Sequence, residues 1–182
     1  TILSHQAVQI ITELSQAMAS HLDLEPTLQT ILESVERLMP SDFLEITLWD
    51  EKEKCLKPYR LVGLPGIDRK LEKSLERYQV SSGYSGYLIS EKQPLLVKDV
   101  STFRTARPAA DRQHYPFQSY VGVPLILAGN LIGTLEFASL VKENYHESDL
   151  EILTLLSKQA AIAINNALLY EKERFRSTEL AG

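Results

Sequence analysis

Residues Tyr120–Ser139 read YVGVPLILAGNLIGTLEFAS. Val121, Val123, Leu125 and Leu127 alternate along a first arm, and Leu131, Gly133, Leu135 and Phe137 alternate along a second. Successive side chains on a strand point to opposite faces, so each arm turns one face towards a core. The Gly129-Asn130 pair between the arms predicts a tight hairpin turn. Glu136 falls on the face opposite Leu135 and Phe137, beside Thr134. A carboxylate in the middle of an apolar strand either sits in solvent or lines a pocket.

The flanking sequence supplies the other elements. Residues 2–22 have a helical pattern in which Leu3, Ala7, Ile10, Leu14 and Ala17 form a heptad seam. Asp23 or Glu25-Pro26 opens a second helix, with Leu28, Ile31, Leu32, Val35 and Leu38 on one stripe, and Pro40 stops it. Phe43–Trp49 reads as a strand in which Phe43, Glu45, Thr47 and Trp49 alternate with Leu44, Ile46 and Leu48. Asp50–Lys54 is a charged turn, and Cys55–Val62 is a second strand ending at Gly63-Leu64-Pro65-Gly66. Ile67–Arg77 is charged and weakly helical, and Tyr78–Ser81 reads as a short third strand. Ser82–Glu91 is a helix opened by glycine, and Pro94–Val97 is a short strand. Residues 101–118 carry little periodicity. Asp149–Arg176 predicts a helix of about 28 residues, or roughly 42 Å. Leu153, Leu156, Ala160, Ala163, Ala167 and Tyr170 share one stripe of it.

A chain of 182 residues with 44% hydrophobic content suits one domain with extensions. The net charge of −5 argues against a nucleic-acid partner, which wants a basic face, and against an anionic membrane surface. No run of eighteen apolar residues stands in the sequence, so no membrane span is expected. The opening residues lack the basic and then apolar pattern of a leader. Cys55 is the single cysteine, which rules out an internal disulfide, fits a reducing cytoplasm and reads as a strand residue. His5, His21, His114 and His146 are scattered without ligand spacing, so no metal site is expected.

Two segments carry chemistry-bearing residues. Ser85 sits in Gly83-Tyr84-Ser85-Gly86-Tyr87, near a nucleophile elbow, but the second glycine is misplaced and no histidine is placed as its base. Free N–H groups at that helix start favour an anionic ligand instead. Residues 99–118 form a long connection of the kind that serves as a lid. They hold Asp99, Arg104, Arg107, Asp111, Arg112 and His114, with Phe103 and Tyr115. Guanidinium groups suit phosphate or carboxylate, and aromatic rings stack on planar ligands. The plain alternative is a solvated surface loop.

The Val-x-Val-Pro-Leu strand, short turn and Ile-Gly-x-Leu-x-Phe strand of 121–137 resemble the end of a GAF domain. HLDLEPTLQTILESV (His21–Val35) before a strand resembles its opening. Gly83-x-x-Gly86 followed by Gln-Pro-Leu-Leu-Val-x-Asp-Val resembles its middle, and the order of the motifs strengthens the match. The resemblance implies a ligand between the sheet and the 99–118 region, lined by Gly83, Tyr84, Ser85, Asp99, Arg104, Arg107, Tyr120, Thr134 and Glu136. Bilin-attaching relatives use a cysteine near the long loop, where this chain has none, so no covalent cofactor is expected. Relatives that reduce free methionine sulfoxide use several cysteines, and this chain has one. Cyclic-nucleotide-binding relatives carry an Asn-Lys…Phe-x-x-x-Asp-Glu pattern, of which Tyr145–Leu150 keeps the aromatic and the aspartate only.

The expected fold is α/β (α+β), GAF/PAS-like. A central antiparallel sheet of five or six strands carries helices on both faces, with long N- and C-terminal helices. Residues 1–22 form a dimerisation and signalling helix, 23–170 the domain, and 171–182 a helical extension towards an output domain. The implied function is non-catalytic and sensory. A non-covalent small ligand acts through a homodimer of terminal helices on an output domain of the same full-length chain, such as a histidine kinase, in the cytoplasm. A ligand-free dimerisation module is the second reading, and a cyclic-nucleotide-binding domain the third.

Overall fold

The computed structural model describes residues 4–20, 23–64, 67–80, 83–109 and 115–181. The elements run α1 (His5–Ala19), α2 (Leu24–Glu36), β1 (Phe43–Asp50), β2 (Cys55–Val62), β3 (Lys70–Lys73), β4 (Tyr78–Gln79), α3 (Gly83–Glu91), β5 (Leu95–Val97), β6 (Ser119–Leu127), β7 (Asn130–Ser139) and α4 (Glu147–Ala181). Strand order is β3-β2-β1-β7-β6-β5, with every pair antiparallel. The small β4 also pairs with β2, so the sheet has seven strands rather than the five or six expected. The surplus arises at the outer edge of β2. There β3 pairs with Tyr59–Val62 and β4 with Cys55–Leu56, leaving Pro58 in the gap. Proline has no N–H to give a ladder, so the edge divides at that point.

Residues 67–77 do not form the weak helix expected of them. Leu71 pairs with Leu61 on the edge of β2 and packs against the core, while Lys70 and Glu72 point outwards. An unpaired edge and a partly buried leucine override the helical propensity of the lysines and glutamates.

The β6–β7 hairpin forms, but its turn lies one residue earlier than expected. Leu127 pairs with Asn130, so the turn residues are Ala128 and Gly129, at φ 51° and 80°. A type I′ turn needs positive φ at both positions, and this twist matches the flanking strands. A register shift follows, because Leu125 pairs with Gly133 and Ile126 with Leu131. Ile132 is the extra residue, and it packs on the core where Leu131 was expected. Beyond the bulge the alternation holds. Val121, Val123, Leu125, Leu135 and Phe137 are buried on one face.

That face is covered by α1, α2 and α4. Pro26 is tolerated in the first turn of α2, where backbone N–H groups have no helical partner. Leu28, Ile31, Leu32 and Val35 of α2 then pack with Leu44 and Ile46 of β1. Side chains of this size contribute about 1.5–3 kcal/mol each when fully buried. On α1, Ser4 caps the helix by accepting from the Ala7 N–H at 3.1 Å. Ala7, Ile10 and Leu14 are buried within this same chain, so these heptad positions cover its own core rather than waiting for a second copy. Leu3 and the side chain of Ala17 lie outside the described residues.

α4 is longer than expected, at 35 residues. Leu153, Leu156, Ala160, Ala163 and Ala167 are buried, and the alanines let the helix lie close to α1 and α2. Part of α4 is apolar and long enough by composition to cross a membrane, but this stripe is occupied by the sheet and its neighbouring helices. From Leu169 to Leu180 the helix is exposed, although Arg174 reaches Asp23 at 2.9 Å.

Gly133 of β7 pairs with Leu48 of β1. A Cβ there would lie 1.8 Å from the Thr47 carbonyl oxygen, which is backbone and cannot swing aside. Gly133→Ala is therefore expected to destabilise the fold by about 3 kcal/mol, the upper end of the usual overpacking range, in urea unfolding. Leu140→Ala, at a side chain 53% exposed, should stay close to wild type. Equal stabilities of the two variants would contradict this strand register.

Candidate functional site

On the second face of the sheet, strand register builds rows of side chains. Arg60 of β2 stands beside Glu45 of β1, Glu45 beside Glu136 of β7, and Glu136 beside Gly122 of β6. In the next row, Thr47 lies beside Thr134. The strands thus place two carboxylates side by side, with Glu45 3% and Glu136 2% exposed.

Each carboxylate has its own donors. Glu136 accepts from the Tyr120 hydroxyl at 2.5 Å, from Thr134 at 2.6 Å, and from the Ser85 hydroxyl at 2.8 Å to both oxygens. The Thr47 hydroxyl meets that of Thr134 at 2.6 Å and extends the chain. Glu45 Oε1 accepts from the Tyr78 hydroxyl at 3.0 Å and from Arg60 Nε at 3.4 Å. Arg60 also bonds to Glu76 and the Tyr78 hydroxyl.

Gly122 makes the Tyr120 contact reachable. Tyr120 and Gly122 share a face of β6, and the tyrosine ring lies along the strand over the glycine. A Cβ at Gly122 would lie 2.2 Å from the Tyr120 hydroxyl oxygen. The missing side chain is therefore what lets this hydroxyl lie beside Glu136.

The electrostatics follow from burial. Loss of water raises the Glu45 carboxyl above its ordinary range, and the neighbouring Glu136 raises it further, against Arg60 and Tyr78. Burial also raises Glu136, opposed by the hydroxyls of Thr134, Tyr120 and Ser85. The Tyr120 hydroxyl is pushed up by burial and by Glu136, so it stays a donor.

Over this floor lies a cavity of about 570 Å³, a size that suits a small molecule. Gly83, Tyr84 and Ser85 of α3 form one wall. Tyr115 and Phe117 come from the end of the long connection, Phe43 from β1, and Pro108 and Ala109 close the rim. The rings pack on one another, with Phe43–Phe117 centroids 5.4 Å apart, Tyr115–Phe117 5.3 Å and Tyr84–Tyr120 4.5 Å. Gly83, at φ 77°, meets Ala109 so closely that an added Cβ would lie 2.7 Å from the alanine Cβ.

Of the residues singled out in the sequence, Gly83, Tyr84, Ser85, Tyr120 and Glu136 line this cavity. Thr134 lies beneath it and reaches it through Glu136. Asp99, Arg104 and Arg107 are not brought to it. Asp99 accepts from the backbone N–H and hydroxyl of Ser101, at 2.9 and 2.6 Å, and shapes the start of the loop. Arg104 and Arg107 are exposed, and the loop lays Phe103, Tyr115 and Phe117 on the sheet instead. Asp111, Arg112 and His114 lie outside the described residues. The acceptor found at the start of α3 is the protein's own Glu136, bound by Ser85.

Glu45, Arg60, Tyr78 and the ring of Phe117 were missed. The signal for Glu45 was present, since it interrupts an apolar strand as Glu136 does and shares a face with Phe43 and Thr47. Arg60 and Tyr78 had no signal without the strand register that brings both to Glu45.

A pH dependence follows. A carboxyl whose folded pKa is raised favours the fold while protonated in both states, and that contribution is lost as pH rises through the folded value. Between about pH 5 and pH 8, wild type should therefore lose more stability than Glu45→Gln, which carries no charge there. Thermal unfolding of both proteins at the two pH values checks this, and parallel losses would mean that Glu45 is not held in the interior.

The GAF-domain family model matches residues 21–165. The Nif-specific regulatory protein of Herbaspirillum seropedicae is 26% identical over 142 residues, which is 74% of this chain and 25% of that protein. The chain thus spans about a quarter of that relative's length. The GAF domain of an Acinetobacter phosphoenolpyruvate-protein phosphotransferase superimposes with a TM-score of 0.70 at 16% identity, covering 93% of this chain and 99% of that one. A free methionine-R-sulfoxide reductase from Neisseria meningitidis, solved with its substrate, gives 0.63 at 17% identity over 92% and 95%. Residues 122–287 of a methyl-accepting chemotaxis protein give 0.65 at 17% identity over 91% and 99%. The family match over residues 21–165, carried by the same sheet and helices, shows that the chain belongs to the GAF-domain family.

Proposed function

We propose that this GAF domain is a sensory module that holds a small molecule in the cavity over Glu45 and Glu136. The observation that carries the reading is the three-way clasp on Glu136. Its donors come from the lid helix α3, from β6 and from β7, so the cavity wall and the sheet share one buried group. A ligand that displaces α3 or the aromatic end of the loop must rearrange this clasp. Strands β6 and β7 carry α4 on their other face, which gives a physical route to the terminal helices. A ligand shifts such an equilibrium only by its differential affinity for the two arrangements.

In this reading the domain is regulatory rather than catalytic, works as a homodimer in the cytoplasm, and passes its bias to an output domain of the full-length protein such as a histidine kinase. The dimer contact would use surfaces other than Ala7, Ile10 and Leu14. The exposed Val8, Leu155 and Leu169 are available for it. The satisfied hydrogen bonds of Glu136 favour the second reading, a ligand-free dimerisation module, because they hold the floor together with no occupant.

Native mass spectrometry of the full-length protein from its source separates the two. Sensing predicts a retained small molecule, and the structural module predicts a bare dimer mass. Deleting residues 99–118 from the full-length protein should abolish its response to that molecule while leaving the dimer intact. An unchanged response would rule out the cavity as the sensing site.

A further inference from the structure

The cavity is acidic, and one of its acids is left half-used. Its lining carboxylates are Glu45, Glu76 and Glu136, against the guanidinium groups of Arg60 and Arg77. Arg60 is engaged by Glu45, Glu76 and Tyr78. Arg77 donates to the carbonyls of Ser74 and Glu76, and its Nε lies 3.8 Å from Glu53. Arg104 and Arg107, the guanidinium groups expected to receive an anion, are elsewhere on the surface. Among the described residues that line the cavity, an anion would meet buried carboxylates with no uncommitted cation to offset them.

The two buried acids differ in what they lack. The two oxygens of Glu136 share three donors, with Ser85 bridging both, Tyr120 serving Oε1 and Thr134 serving Oε2. Glu45 Oε1 takes the donors from Arg60 and Tyr78, while Oε2 accepts none from the described residues. The residue is nevertheless 3% exposed and lines the cavity. Oε2 is thus an acceptor that keeps an opening onto the cavity, and a ligand that brings a donor there makes a hydrogen bond that the described residues leave unmade. The walls point the same way. Phe43, Tyr84, Tyr115, Phe117 and Tyr120 surround the space, and aromatic faces attract positive charge and exclude water.

Resting on the reading of this cavity as a small-molecule site, we propose that its occupant carries a protonated amine. The positive charge of the ammonium favours the ionised form of Glu45, whose proton leaves to solvent, and the ammonium donates to Oε2 while an apolar or aromatic body packs among Phe43, Tyr115 and Phe117. Glu136 holds the wall in place and does not receive the ligand.

The test uses three probes of one shape and different charge: 2-phenylethylammonium, 2-phenylethanol and 3-phenylpropanoate. Each is titrated into the labelled full-length protein, and amide shifts around Glu45, Tyr84 and Phe117 are followed by NMR. The ammonium is expected to bind at least about tenfold more tightly than the other two, and Glu45→Gln to weaken it by at least about tenfold. The amide spectrum of the variant verifies its fold, and the three-probe comparison on wild type stands without it. Binding of the carboxylate or the alcohol as tightly as the ammonium overturns the amine and leaves the sensory reading intact. No shift at the cavity from any probe at millimolar concentration overturns both.

Discussion

Desolvation of two adjacent carboxylates is the constraint around which this domain is arranged. Strand register sets Glu45 against Glu136 in the middle of a sheet, where both are almost wholly removed from water. An ion taken into a protein interior costs several kcal/mol unless partners replace its hydration. The partners come from every element on that side. Ser85 opens α3, Tyr120 reaches along β6, Thr134 lies within β7, and Arg60 and Tyr78 come from the β2 edge. The placement of α3, the glycine at 122 and the short strand β4 are all consistent with serving this pair.

The opposite face follows ordinary packing. Its residues are mainly leucine, isoleucine, valine and alanine, joined by Met39, Tyr59, Phe137 and Tyr145, and its helices bury them with few polar contacts such as Ser41 to the Tyr145 hydroxyl. The sheet is therefore a partition between a face defined by shape and a face defined by charge. An event at the cavity reaches α4 only by moving the strands themselves, above all β6 and β7, which touch α3 on one side and α4 on the other.

Most of the fold was legible because its signals are local. Alternation named β1, β6 and β7, the Gly-Leu-Pro-Gly stop bounded β2, and apolar stripes named α2 and α4, with Pro40 ending α2. The errors fell where tertiary context decides. Lys70–Lys73 became a strand because β2 offered an unpaired edge, and the bulge at Ile132 moved a leucine off the core. The site was legible by half for a related reason. Glu136 was conspicuous against Leu135 and Phe137, but its neighbour Glu45 lies 91 positions away in sequence, and only strand order brings them together. The arginines of the long connection misled because composition gives residue types without their direction. In the fold that segment turns its aromatic rings inwards and leaves Arg104 and Arg107 in water.

The exposed stretch of α4 has a geometric consequence. The helix is unbroken from Leu153 in the core to Leu180 in solvent, so its two parts share one axis and one angular phase. Each residue advances that phase by about 100°. A small roll of the buried half against β6 therefore reappears at the exposed half as the same roll, whatever its length. The quantity such a helix transmits is an orientation, and its setting depends on the number of residues as much as on their identity.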